Sequence, residues 1–428
     1  MWEDERKKAI IKNIVLVVLI LIFLAALIII GKKIIASSEE QDAQLTDIQA
    51  QQQKEQAETR QEALSAIQDE YDKDLDCVKK YLPGIVCWGD SITMGSSGST
   101  SYPYILQKYI DTYICDIYDF RSTIINADDY SRLVWDDYKV SIPVVNMGGG
   151  PENSATVLGR AGVKPFVIKK DMDIPATTDS VQIELATDEG VRVNPLTGGD
   201  AGLNPVTVDG INGNISIDSS TVNNTEGIRY TFSRLEPGEE VHIAAGAEIR
   251  SAATDDYKNY IHIVCIGTYG GYKTVDELVE QTKALISRQT ENTDRFLVLS
   301  IPNAKYYTPG MDVNAIDTAM MQAFGNKYLN IRKYLCSDGH ADAKINMTSD
   351  DSAAIRTGAV PPSFLITKGK PELNGKADML IGKLIFNQME SLGYFDEIYD
   401  ELMIRETMKN ILKEEPNYFN NMMKYLVK

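Results

Sequence analysis

Residues 14–31 read IVLVVLILIFLAALIIIG, a run without a single charged or strongly polar side chain. A soluble helix of that length would carry a polar face, whereas in lipid a helix satisfies its backbone internally and needs only about 20 apolar residues to span. The run therefore predicts a single transmembrane helix. Lys12 lies close enough to its edge to snorkel, so residues 9–11 can extend it. Arg6, Lys7, Lys8 and Lys12 precede the run, and only Lys32 and Lys33 follow it. That bias favours a cytoplasmic N-terminus and an uncleaved anchor, with the remaining chain outside the membrane.

Residues 39–80 hold no Pro or Gly and are rich in Glu, Gln, Ala and Lys, which favours a long helical stalk over residues 34–82. Leu64, Ile67, Tyr71 and Val78 share a heptad-like face, a partial seam for a homodimer. Leu45 and Ile48 fall out of phase with that face, and Gln52 and Glu55 interrupt it. Pro83-Gly84 ends the stalk.

Beyond it, apolar runs at 85–88, 143–146, 261–266 and 296–301 read as buried strands. Helical patterns lie between or after them at 102–113, 275–287, 314–335 and 376–392. Alternating strands and helices predict an α/β domain with a parallel sheet, divided into 83–162 and 256–395. Residues 163–255 break the alternation with short β-like runs separated by Gly, Asn and Pro, which reads as an all-β insertion whose ends lie close together. A tail, 396–428, shows helical spacing at Ile398, Leu402, Met408 and Leu412, suited to packing.

Composition excludes some classes of function. With 43 Lys and Arg against 61 Asp and Glu the net charge is −18, a poor match for a nucleic acid backbone. Cys77, Cys87, Cys115, Cys265 and Cys336 are odd in number and scattered, fitting neither a disulfide framework nor a zinc pattern. No phosphate-binding loop, dinucleotide fingerprint or metal triad is present, so no cofactor and no metal are expected.

Directly after the first apolar run stands Trp88-Gly89-Asp90-Ser91-Ile92-Thr93-Met94-Gly95. A Ser at such a strand exit presents its hydroxyl at the carboxyl edge of the sheet, where open α/β folds bind ligands. Here the chain resembles the SGNH/GDSL hydrolase family, through this block and through SYPYILQKYI, VVNMGGG, IVCIGTYGGY and LNGKADMLIGKLIF in the family's order over most of residues 85–395. The resemblance implies a flavodoxin-like α/β sandwich and ester or acetyl hydrolysis with Ser91 as nucleophile.

It also implies partners for Ser91, and those are altered. The family's late Asp-x-x-His falls on Gly369-Lys370-Pro371-Glu372, so Gly369 stands at the Asp and Glu372 at the His. A carboxylate is a weak base for a hydroxyl, and neither position looks usable. The second-block oxyanion Gly falls on Pro151, which has no N–H, unless a one-residue shift lets Gly150 serve. Tyr269 occupies the third-block Asn position, where a phenol offers one donor from a longer side chain. His242 and His262 read as strand residues, and His340 as a residue near a helix end. Glu152 and Glu372 read as solvated acids.

The expected function is a membrane-anchored extracytoplasmic SGNH-like pseudoenzyme that binds an envelope glycan or a protein partner. The alternatives are a serine esterase or O-acetyl hydrolase acting on acylated carbohydrate through an unorthodox base, and a structural or assembly protein.

Overall fold

The computed structural model describes residues 1–95, 100–135, 142–150, 152–187, 204–218, 229–251, 257–290, 294–302 and 312–415. The chain forms two compact units, Met1–Tyr71 and Asp72–Lys428.

The first unit is helical. Its residues belong to a helix that runs Trp2–Tyr81, and the apolar side chains between Ile14 and Ile30 are exposed in the isolated chain. Among the described residues this is the one helix long and apolar enough to cross a membrane. The helix ends at Tyr81, just before Pro83-Gly84, as a residue preceding proline is steered away from helical dihedrals.

The second unit begins with the last turns of that helix. Val78 and Leu82 are fully buried within it, and the Asp74 carboxylate accepts from Arg121 Nε at 2.7 Å and from the Tyr130 hydroxyl. Val78 is thus a core residue and not part of a seam for a second chain.

A parallel five-stranded sheet organises the unit. Ile85–Gly89 is central, with Val144–Gly148 on one side and Ile261–Cys265, Phe296–Leu299 and Tyr328–Leu329 in succession on the other. Side chains alternate across it. Val86, Trp88, Val264 and Val298 pack with Val157, Leu158, Leu278, Leu285, Ile316 and Met320. Ile85, Cys87, Ile263 and Leu297 point to the opposite face and are also fully buried, so both faces are covered, as a parallel sheet requires.

Two helices, Tyr102–Ile125 and Gly375–Ser391, pack on one another. Gly382 permits their approach, since a β-carbon there would lie 2.6 Å from Ile105 Cγ2. Tyr109 stacks on Phe386 with ring centroids 5.4 Å apart. Ser101 caps the first helix and Asn126, in the left-handed region, ends it, so the element is about twice as long as the predicted 102–113 segment.

The predicted helix over 314–335 is not one helix. Val313–Phe324 is helical, Gly325 turns the chain with φ 57°, Tyr328–Leu329 adds the fifth strand, and Ile331–Ser337 resumes helix. The apolar spacing is right for each piece, but Gly325 adopts a conformation that a helix interior does not contain.

Among the described residues the inserted region is antiparallel, with a seven-stranded sheet and a two-stranded sheet formed by strands between Phe166 and Ser251. It has its own core around Phe166, Ile174, Val208, Phe232 and Ile249. Val167 pairs with Glu248 and Phe166 with Ile249, so its first and last strands are neighbours. In the tail, Ile398, Leu402 and Met408 are buried in packing, while the Leu412 side chain and residues 416–428 lie outside the described residues.

Candidate functional site

Four segments meet at the carboxyl end of the central strand. Asp90 leaves Ile85–Gly89 and caps the short helix Ser91–Met94, its Oδ1 accepting from Ile92 N at 2.9 Å. Asp90 is fully buried, and burial pushes its carboxyl up to about 7 against the opposing pull of the Ile92 N–H.

From the adjacent strand Val144–Gly148 the chain continues as Gly149, whose N–H donates to Gly89 O at 3.1 Å. Gly150 follows and lies directly against Ser91: a β-carbon on Gly150 would sit 2.8 Å from Ser91 Cβ. Pro151 lies outside the described residues.

On the other side, Ile261–Cys265 leads to Tyr269 through Gly267, which has φ 105°. Gly270 is pinned by Ser154, whose N–H and hydroxyl both donate to Gly270 O at 3.0 Å. The fourth segment is a bridge between Leu365 and Leu373, in which Ile366 N donates to Glu372 O at 3.0 Å. Two residues later Asn374 caps the helix Gly375–Ser391.

These segments bring three side chains into one line. Ser91 Oγ is hydrogen-bonded to the Tyr269 hydroxyl, and that hydroxyl donates to Glu372 Oε1 at 3.0 Å. All three residues are partly exposed. Burial, reinforced by the nearby Asp90 and Glu372 carboxyls, holds the Tyr269 phenol well above the usual tyrosine range, partly offset by its bond to Ser91. The phenol therefore keeps its proton at neutral pH. Glu372, expected as a solvated acid, is instead partly buried and accepts from the same Tyr269 hydroxyl that meets Ser91. Gly369, by contrast, lies in the preceding turn with φ 84°, open space around it and no side chain to contribute.

Glu152 corrects the other half of that expectation. It is 1% exposed and forms a buried ion pair with Arg160, with Arg160 Nη2 2.7 Å from Glu152 Oε2. The same Nη2 donates to Met147 O at 2.8 Å and Gly89 O at 3.2 Å, so one guanidinium ties together the ends of two strands next to Gly149. Arg160 carried no signal in the sequence, since Glu152 lies outside the helix Ser154–Arg160 and the pair shares no helical face.

None of the three histidines hydrogen-bonds Ser91 among the described residues. His262 is a packed strand residue, and burial pushes its imidazole down to about 4. His242 is exposed and pairs with Asp173 at 2.7 Å. His340 is buried, with Nε2 3.3 Å from Asp351 Oδ2 but not aligned for a hydrogen bond, and packs edge-on to Phe364. The cysteines are unpaired, with Cys87 and Cys265 buried in neighbouring strands. No group of His, Cys, Asp and Glu suited to a metal ion occurs among the described residues.

Comparisons with known protein families, with curated proteins and with solved structures find no match.

Proposed function

We propose that this chain is a membrane-anchored, extracytoplasmic protein of SGNH/GDSL hydrolase type, with a flavodoxin-like sheet, that binds an acylated envelope glycan or a protein partner at the Ser91 site without sustained hydrolysis. The motif order around Ser91 and the parallel sheet support the family reading. The apolar helix and the Lys/Arg bias before residue 14 support the anchor and its orientation.

One observation carries the loss of turnover: Ser91 Oγ is bonded to a phenol, and behind that phenol stands a carboxylate where hydrolysis needs an imidazole. A free carboxylate is a weaker base than imidazole by about two pKa units, or about 3 kcal/mol of proton affinity. The Asn side-chain donor is also replaced, and losing one such donor typically slows acyl transfer by about 10²- to 10³-fold.

The test uses the full chain in detergent micelles. Sustained release of p-nitrophenol from p-nitrophenyl acetate is expected to match that of Ser91→Ala, while an acylated envelope glycan fraction still binds. Sustained turnover that disappears in Ser91→Ala would overturn the proposal in favour of an esterase.

A further inference from the structure

We infer that Tyr269 and Glu372 form a proton relay through which Ser91 takes an acyl or phosphonyl group from an activated donor, once per chain. This rests on Ser91 being the serine position of the site proposed above, but not on what that site binds.

The direction of the hydrogen bonds carries the argument. A phenol has a single proton, and Tyr269 gives it to Glu372 Oε1. Its oxygen therefore meets Ser91 with a lone pair, and of the two hydroxyls that could donate in their hydrogen bond this leaves that of Ser91. Both protons already point from Ser91 toward Glu372, the direction that deprotonation of a nucleophile requires. Because the buried phenol stays protonated at neutral pH, it passes a proton on and is not a tyrosinate base.

The step balances. As Ser91 Oγ bonds to the carbonyl carbon of an aryl ester, its proton moves to the Tyr269 oxygen and the phenolic proton moves to Glu372. The bond from the acyl group to the aryl oxygen breaks, and p-nitrophenolate leaves with the electron pair. With a fluorophosphonate, Oγ bonds to phosphorus and fluoride leaves in the same way. Glu372 then releases its proton to water.

Neither leaving group needs to be protonated, so the relay has only to accept a proton and not to return one. Deacylation is harder, because the leaving atom is then the alkyl oxygen of Ser91, which must take a proton back. Acylation and hydrolysis are thereby uncoupled.

Rapid mixing of the full chain in micelles with p-nitrophenyl acetate is expected to give a burst approaching one p-nitrophenolate per chain, then a phase at least about tenfold slower. Mass spectrometry should place the acetyl group, or the phosphonyl group of a fluorophosphonate probe, on Ser91. Tyr269→Phe and Glu372→Gln should each slow labelling by about 10²-fold, the usual scale for a proton acceptor. Glu372→Ala should recover on adding formate, which a purely structural role for Glu372 would not produce. Absence of labelling, absence of formate rescue, or Tyr269→Phe labelling as fast as wild type or faster would overturn the relay; the last result would make the phenol a cover over the hydroxyl. Glycan binding by Ser91→Ala is read separately, so the relay and the binding proposal can fail independently.

Discussion

A carboxyl group buried without an aligned donor costs little while protonated and a great deal once ionised. Asp378 is placed that way. It is fully buried on the helix Gly375–Ser391, and neither carboxyl oxygen is aligned for a hydrogen bond. Burial pushes it up to about 8, with the Tyr102 N–H of the facing helix opposing part of the shift. Asp90 departs in the same direction, to about 7. The folded state therefore holds protons that the unfolded chain has released above about pH 4. Each group contributes stability that is complete at low pH and is lost as pH rises through its folded value. Stability should fall by up to about 1.4 kcal/mol per pH unit for each group, with Asp378 acting up to about pH 8. Asp378→Asn should flatten the decline most between pH 7 and 8, where Asp90 passes through the second half of its titration and Asp378 still holds most of its proton. Urea titrations at half-unit pH steps read this directly. Parallel slopes in variant and wild type would mean that Asp378 is not protonated in the folded protein.

The elements show where local pattern is enough and where it is not. Four strands of the parallel sheet announce themselves as apolar runs bounded by turn residues, and the Asp90-Ser91 motif follows one of them. The fifth, Tyr328–Leu329, has only two residues, too few for any period to register, and its neighbours carry helical spacing that conceals it. The site is legible to the same extent. Ser91 stands out because a strand exit and a motif coincide, whereas Tyr269 and Glu372 are 103 residues apart and meet only because the Leu365–Leu373 bridge carries one to the other. Asn374 is the joint that fixes this meeting. Its Oδ1 accepts from Lys376 N at 3.1 Å and Ala377 N at 3.3 Å, while Nδ2 donates to Ser363 O at 2.9 Å and Leu365 O at 3.2 Å. Asn374→Ala removes a helix cap and the tie to Leu365 together, for about 1–2 kcal/mol of stability. Because Glu372 lies two residues upstream, the same variant should slow Ser91 labelling. Loss of stability with unchanged labelling would show that Glu372 is held by the bridge alone.

At the scale of the molecule, the chain joins an apolar helix to a globular unit that starts inside that helix's last turns. Residues 72–81 belong to the globular unit by their contacts. Arg121 and Tyr130 hold Asp74, Arg295 Nη1 donates to Tyr81 O at 2.6 Å, and Lys80 Nζ lies 3.4 Å from Glu401. A truncation series should separate the two roles of this one helix. The full chain should stay with membranes through alkaline carbonate extraction, and removing residues 1–33 should release it, since the exposed apolar side chains between Ile14 and Ile30 are then gone. Removing residues 1–81 should cost far more than solubility would suggest: it strips Val78 from the core and leaves Arg121 and Tyr130 without the buried Asp74 carboxylate. Removing one partner of a buried ion pair costs about 3–5 kcal/mol, a large share of the stability of a typical domain. Thermal unfolding of the released chains is the measurement. A fragment starting at residue 82 that unfolds at the same temperature as one starting at residue 34 would mean that these helical turns only link the two units.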